Sequence, residues 1–266
     1  MNSVFELREG ESPLVINIPH AGTEVPADIL KRMTPDAQKL PDTDWFVDQL
    51  YGFAADMDAT ILKANYSRFV IDLNRDPGGQ SLYPGQATTG LVPTELFDGA
   101  PVYEGDPPDA EEIGERRWTY FDPYHKALSA QIARVRALHG YCVLYDAHSI
   151  ASTVPRLFEG ELPVLNLGTN EGRSCGSEIE RAVTQQMLDQ DDFETVANGR
   201  FKGGWITRTY GTPRHNIHAL QMELAQRAYM DEAAVEYDEA AANKLKPLLK
   251  DILQAALDAA EHLHWE

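Results

Sequence analysis

The chain has 266 residues, and 42 acidic against 23 basic residues give it a formal net charge of −19. This acidity argues against nucleic acid or an anionic membrane surface as a partner, although a few arginines could still bind a small anion. The 43% of hydrophobic residues suffices for a large core, and no apolar run approaches the roughly 18 residues that span a membrane.

Two cysteines do not make a disulfide framework, and the first residues lack the apolar stretch of a secretory signal, so we expect a cytoplasmic protein. Apolar runs predict strands at 14–20, 59–64, 67–75, 141–147, 162–168 and 217–224. Helical spacing predicts helices at 42–57, 109–138 (broken near Pro123), 177–188 and 233–263 (one or two helices), and residues 76–92 are predicted to form a loop.

Strands that alternate with helices are typical of the α/β class. We therefore predict a single domain over residues 1–266, with three layers and a mixed, mostly parallel central sheet flanked by helices. In such sheets, ligands bind beyond the carboxyl ends of the strands. Three of the predicted strands end in or lead into His20, His148 and Glu223, so we expect these side chains to converge on one edge of the sheet.

Two histidines at strand ends indicate a metal site. A catalytic zinc ion commonly has about three protein ligands, often imidazoles and a carboxylate. No third histidine ends a predicted strand, so the third ligand is expected to be an acid, and both Glu24 in HAGTE and Asp44 in DTDW are candidates. Asp146 lies two residues before His148, where it could orient that imidazole.

Several blocks of sequence also carry a resemblance to a known family. They are INIPHAGTEVP, LPDTDWFVDQLY, SRFVIDLNRDP, TTGLVP, YDAHSI followed by VPRLFEG, and HALQMELAQRAYM, between Leu14 and Met230. In this order they resemble the N-formylglutamate deformylase (N-formylglutamate amidohydrolase) family. The resemblance implies a fold like that of zinc carboxypeptidases and aspartoacylase, with one zinc ion at the strand ends.

The resemblance also implies roles for individual residues. His20, an acidic residue and His148 would hold the zinc ion, and Glu223 would activate the attacking water. Zinc carboxypeptidases place the acidic ligand three residues after the first histidine, but that position is Thr23 here. We favour Asp44 over Glu24 because the TDW block is centred on it.

The same resemblance matches Asn74 and Arg75 to the Asn-Arg pair that grips a substrate carboxylate. Because N-formylglutamate carries two carboxylates, further arginines are expected to bind it. The candidates among the arginines are Arg68, Arg75, Arg156 and Arg214. On the predicted strand 67–75, Arg68 and Asn74 share a face, and Arg75 points the other way unless the strand has already ended.

These observations predict a cytoplasmic zinc amidohydrolase that splits N-formyl-L-glutamate, a small anionic N-acyl amino acid, into formate and L-glutamate. By the resemblance, this reaction would be the last step of one route of histidine degradation. The alternatives are a related N-acyl amino-acid deacylase, a carboxypeptidase-like zinc peptidase, or a binding module that has lost the metal. Formate release from a panel of N-acyl amino acids, with and without chelator, separates them.

Overall fold

The computed structural model of the chain describes residues 3–80 and 89–265. Seven strands form the central sheet, in the spatial order β1-β3-β2-β4-β7-β5-β6. The strands are β1 (Phe5–Arg8), β2 (Leu14–Ile18), β3 (Thr60–Ala64), β4 (Cys142–Ile150), β5 (Leu165–Gly168), β6 (Thr195–Ala197) and β7 (Ile217–Ala225). Two short strands, β8 (Met230–Asp231) and β9 (Glu236–Tyr237), form a separate antiparallel pair.

Seven α-helices accompany these strands in the described part of the chain. They are α1 (Ala27–Leu30), α2 (Val47–Leu50), α3 (Ala110–Arg116), α4 (Asp122–His139), α5 (Ser177–Leu188), α6 (Trp205–Tyr210) and α7 (Glu239–Trp265). None of the described helices is both long enough and apolar enough to cross a lipid bilayer.

The sheet lies between two layers of helices, as the continuous apolar strands predict. On one face, alternate residues of β2 such as Leu14 and Ile16 join a core that includes the buried side of α5 and α7. On the other face, Val15 packs into a core that contains Leu128 of α4 and Ile206 of α6. The predicted α/β class with a mixed, mostly parallel sheet is therefore confirmed.

Four neighbouring strands of the sheet are parallel, and this arrangement positions the site. β3, β2, β4 and β7 run in the same direction, so their carboxyl ends meet at one edge. β1 is antiparallel to β3, and β5 is antiparallel to β7. The convergence expected for residues that end β2, β4 and β7 follows directly from this topology.

The predicted strand at 67–75 is wrong, because this apolar segment is buried but irregular. Its backbone groups bond side chains, nearby residues and the backbone of other loops instead of a neighbouring strand. The Asn74 N–H donates to Asp72 Oδ1 at 2.9 Å, and the His125 ring bonds the Leu73 carbonyl oxygen at 2.9 Å. Arg116 donates to the carbonyl oxygens of Phe69 and Val70.

Three other predictions need smaller corrections. The helix predicted at 42–57 is shorter than expected. Its first residues, including Asp44, form a turn, and only α2 and a 3₁₀ turn, Tyr51–Ala55, are helical. The break near Pro123 is a π-helical turn, Arg117–Phe121, that joins α3 to α4. The helical segment predicted from residue 233 is the single helix α7, which begins only at Glu239 because β9 precedes it. Residues 81–88 of the predicted loop lie outside the described residues.

Candidate metal and catalytic site

The carboxyl-end edge of the sheet holds a cavity of about 210 Å³. His20 follows β2 after one proline, and His148 and Glu223 occupy paired positions on the adjacent parallel strands β4 and β7. All three side chains line the cavity and are buried. The predicted convergence of these residues is therefore observed.

Asp44 reaches the two histidines from the turn before α2. Its backbone N–H donates to the His20 carbonyl oxygen at 3.1 Å, which fixes the turn against the end of β2. Its Oδ2 atom lies 2.9 Å from His148 Nδ1 and 3.8 Å from His20 Nδ1. The potential ligand atoms of His20, Asp44 and His148 all lie within 4.8 Å of one another.

Each imidazole has its second nitrogen next to another buried carboxylate. His20 Nε2 lies 2.8 Å from Asp72 Oδ1, and His148 Nε2 lies 3.1 Å from Asp146 Oδ2. Asp146 in turn accepts a 2.7 Å hydrogen bond from the Asn17 amide. Carboxylates in this position orient metal-binding histidines and raise their basicity, so the role expected for Asp146 agrees with its contacts.

The cluster concentrates negative charge in the protein interior. Asp44, Asp72 and Asp146 are at most 1% exposed. The basic side chains that pair with them are Arg68, at 2.8 Å from Asp72 and 3.5 Å from Asp44, and Arg75, at 3.7 Å from Asp72. Buried carboxylates are costly unless cations compensate them.

The pKa shifts follow from this crowding of charges. Burial lowers the pKa of His148, but the Asp146 and Asp44 carboxylates outweigh burial and hold that pKa well above its ordinary value. Burial, aided by the Arg68 charge, lowers the pKa of His20. Burial raises the pKa of Asp72, but Arg75, His20 and Arg68 reverse the effect and hold it well below its ordinary value.

These residues fit a divalent metal ion. Two imidazole nitrogens and a carboxylate oxygen are the donor set of many zinc sites, and ligands about 2.1 Å from one ion lie at most about 4.2 Å apart. The distances of 2.9 and 3.8 Å from Asp44 Oδ2 meet that limit, while the group as a whole spans up to 4.8 Å, so a bound ion would draw the ligand atoms slightly closer together. Asp44 Oδ1 is buried without a hydrogen bond among the described residues and has the Arg68 guanidinium 3.5 Å away, while Oδ2 is the atom that faces both histidines. Glu24 does not belong to the cluster.

Glu223 lines the cavity together with the two histidines, and its position on β7 is paired with that of His148 on β4. It is 7% exposed, and burial raises its pKa to about 7. A carboxyl group with a pKa near neutrality can both accept and return a proton during turnover. Gln221, two residues earlier on β7, donates a 2.9 Å hydrogen bond to its Oε2 atom.

The predicted arginines divide into two groups. Arg68, Arg75 and Arg156 line the cavity. Arg156 pairs with Glu95 and donates to the Leu96 carbonyl oxygen at the cavity rim. Arg214 is exposed in the turn before β7, at the opposite edge of the sheet, roughly 20 Å along the strand from Glu223. The structure therefore contradicts the placement of Arg214 at the site.

Two predictions for residues 68–75 also change. Because this segment is not a strand, Arg75 does not point away from Arg68 and Asn74, and all three line the cavity. Asn74 is 3% exposed, and its Nδ2 atom lies 3.0 Å from His148 Nε2 and 3.3 Å from Asp146 Oδ2. The contact with Asp146 lets Asn74 support the carboxylate beside His148. Arg75 lines the cavity while its guanidinium makes hydrogen bonds to neighbouring residues.

Sequence reasoning missed three residues of the site, Asp72, Arg200 and Gln221. Asp72 carries a detectable signal, because a carboxylate inside the apolar run FVIDL is costly unless it has a buried partner. Gln221 carries a similar signal inside HALQMEL. Arg200 lines the cavity beside Phe201 and donates to the Leu157 carbonyl oxygen at 2.7 Å, but its sequence context predicts only a surface loop.

Comparisons with known proteins identify relatives of the chain. Residues 12–230 match the N-formylglutamate amidohydrolase family. The chain is 44% identical over 259 residues to an N-formylglutamate deformylase of Pseudomonas putida and 43% identical over 259 residues to one of Pseudomonas aeruginosa, with 97% of each chain covered. A crystal structure of N-formylglutamate amidohydrolase from Ralstonia eutropha JMP134 superposes with a TM-score of 0.78 at 28% identity, covering 97% of both chains. The chain belongs to the N-formylglutamate amidohydrolase family.

Proposed function

We propose that this protein is a zinc-dependent amidohydrolase that hydrolyses N-formyl-L-glutamate to formate and L-glutamate. The observation that carries the proposal is the shared cavity in which His20 and His148, grouped with Asp44, face Glu223 beside several arginines. The activity named for the Pseudomonas relatives supports the same substrate. The substrate is a small dianion, which this basic cavity could bind in spite of the acidic surface.

His20, Asp44 and His148 would hold the metal ion. When bound, a zinc ion would supply Lewis-acid polarisation of the formyl carbonyl group and would acidify a water molecule. Asp72 and Asp146 would keep the two imidazoles in the orientation that presents Nδ1 to the ion, because each lies within 3.1 Å of the opposite ring nitrogen.

Glu223 would carry the proton through the reaction. It accepts a proton from the attacking water, whose oxygen forms the new bond to the formyl carbon. As the C–N bond breaks, Glu223 returns that proton to the nitrogen that becomes the amine of glutamate. Its pKa of about 7 suits both transfers, since neither protonation state is strongly disfavoured at neutral pH.

Arginines at the cavity would bind the two carboxylates of the substrate. Arg75 and Arg200 are half-buried, and Arg156 lies at the rim. A guanidinium binds a carboxylate through two parallel hydrogen bonds, which gives orientation as well as affinity. Arg68 is 6% exposed and lies 2.8 Å from Asp72. Its main role would therefore be to neutralise the carboxylates around the proposed metal ligands, and binding of substrate would come second.

We further propose that the protein acts in the cytoplasm and that its reaction ends a route of histidine degradation. Both cysteines, Cys142 and Cys175, are buried free thiols, which is consistent with a reducing compartment. The Pseudomonas relatives are named N-formylglutamate deformylases, and these names support N-formylglutamate as the substrate on such a route.

The test is formate release from a panel of N-acyl amino acids, measured before and after metal removal. We expect N-formyl-L-glutamate to be the best substrate, activity to vanish on chelation, and zinc to restore it. Preference for a longer acyl group would favour a related deacylase, and cleavage of peptides would favour a peptidase. A protein that binds these compounds without turnover at any metal loading would overturn the enzymatic assignment.

A further inference from the structure

The side chain of Gln221 is buried between the backbone of a short helix and the carboxylate of Glu223. It is 4% exposed and lines the same cavity. Its Oε1 atom accepts a 2.7 Å hydrogen bond from the Gly204 N–H, and its Nε2 atom donates a 2.9 Å hydrogen bond to Glu223 Oε2. Because a backbone N–H can only donate, this contact determines which end of the amide faces Glu223.

The beginning of α6 orients two cavity amides in this way. The Gly204 N–H bonds Gln221, and the Ile206 N–H donates to Asn74 Oδ1 at 2.8 Å. The first N–H groups of a helix have no partners within the helix, so side-chain oxygens can bond them. Asn74 consequently directs its NH₂ group at Asp146, the carboxylate beside His148, and Gln221 directs its NH₂ group at Glu223.

Gly204 has a steric reason to be glycine. A Cβ atom at this position would lie 2.6 Å from Asn74 Cγ, closer than carbon atoms approach in proteins. The close approach lets the start of α6 bond Asn74 and Gln221 at the same time. The same backbone segment therefore holds both amides. Asn74 contacts the side chains around the proposed metal ligands, and Gln221 contacts the acid–base group Glu223.

We propose that Gln221 is a positioning residue that holds the Glu223 carboxylate in the orientation required for proton transfer. The proposal rests on the role of Glu223 in the proposed function. A single hydrogen bond from Gln221 restricts rotation of the carboxylate and leaves the Oε1 atom as the one available to a reacting proton. Loss of that bond should reduce turnover with little effect on substrate binding, because Gln221 acts through Glu223.

The experiment is a double-mutant cycle on kcat and KM for N-formylglutamate, with the zinc content of each variant measured. Gln221→Leu preserves approximate size and removes both hydrogen bonds. We expect it to lower kcat by about 10- to 100-fold, the same order as the loss of a hydrogen-bond partner that orients a metal ligand, with KM little changed and zinc retained. In the Glu223→Gln background the same change should cause no further loss.

The outcomes separate the two proposals. An equal loss of kcat from Gln221→Leu in both backgrounds would show a role independent of Glu223 and would overturn the positioning proposal alone. A rise in KM with kcat unchanged would make Gln221 a substrate contact and would overturn it as well. If Glu223→Gln itself does not lower kcat, the acid–base role in the proposed function fails.

Two further variants guard against misfolding. Gln221→Met keeps an unbranched side chain and should reproduce the kinetic effect if Gln221→Leu does not fold. Gln131→Leu is the matched control, since Gln131 is also buried and donates to Glu9, but it lies on α4 and does not line the cavity. We expect it to cost stability and to leave kcat unchanged. A fall in kcat for Gln131→Leu equal to that of Gln221→Leu would assign the effect to general destabilisation.

Discussion

Replacing Arg75 tests how the substrate is recognised independently of the metal ion. Removing one partner of a buried, hydrogen-bonded charge pair costs about 2–5 kcal/mol. The Arg75 side chain is 24% exposed, so solvent screens part of that interaction. We therefore expect the lower part of the range, about 2–3 kcal/mol, which corresponds to a fall in kcat/KM of about 30- to 150-fold for Arg75→Ala.

The assay compares N-formylglutamate with analogues in which one carboxylate is amidated. An analogue that lacks the carboxylate bound by Arg75 should lose much less from the mutation, and comparing both substrates on both proteins closes a thermodynamic cycle. Arg75→Lys keeps the charge but cannot form the paired hydrogen bonds, so it should behave more like Arg75→Ala than like the wild type. Running the cycle on Arg156 and Arg200 identifies the partner of the second carboxylate.

Two controls make the Arg75 result interpretable. Arg75 lies 3.7 Å from Asp72, which contacts His20, so the zinc content of the variant must equal that of the wild type. Arg214→Ala removes an exposed arginine at the opposite edge of the sheet and should leave kcat/KM unchanged. Equal losses on the charged and amidated substrates would refute recognition by Arg75 and would make its role structural.

Four further predictions test the metal ion, its ligands, the acid–base group and the pH dependence of stability. The purified protein should contain about one zinc ion per chain, and His148→Ala should lose both zinc and formate release; full activity in a metal-free His148→Ala protein would contradict the metal assignment. Asp44→Ala should lose zinc while Glu24→Ala retains it, as metal analysis can show, and the reverse pattern would identify Glu24 as the ligand. Glu223→Gln should lower kcat by about 100- to 10,000-fold with zinc retained, and a fall of less than about fivefold would exclude it as the proton carrier. Burial lowers the pKa of His125 from 6.5 to about 4. The contribution of the neutral ring to stability is therefore complete above pH 6.5 and is lost as the pH falls towards 4, by up to about 3 kcal/mol. Urea unfolding at pH 7 and pH 4 should show that His125→Gln loses less stability than the wild type, and equal losses would contradict this.

The part of the site that lies on strands could be predicted from the sequence. Buried parallel strands appear as apolar runs, and their carboxyl ends meet at one edge, so the sequence predicts that His20, His148 and Glu223 converge. The structure adds the register, which pairs His148 with Glu223. Local pattern and general topology were sufficient because each of these residues belongs to or directly follows a regular element.

Residues that reach the site from turns could not be predicted with the same certainty. The choice between Asp44 and Glu24 depends on where a turn lies against the end of β2, and the hydrogen bond from the Asp44 N–H to the His20 carbonyl oxygen settles that position. Gln221 shares a strand with Glu223, but its function depends on the backbone of Gly204, 17 residues earlier. Contacts of this kind leave no periodic pattern in the sequence.

The segment 67–75 shows why an apolar run at a functional site need not be a strand. In a strand, successive side chains alternate between the two faces, so Asn74 and Arg75 could not both face one cavity. Irregular backbone allows both to do so, but its buried N–H and C=O groups then need other partners. Arg116 and His125 supply such partners from the adjoining helices. An apolar run with functional side chains at both odd and even positions therefore indicates a buried turn, and the buried polar residues nearby are expected to support its backbone.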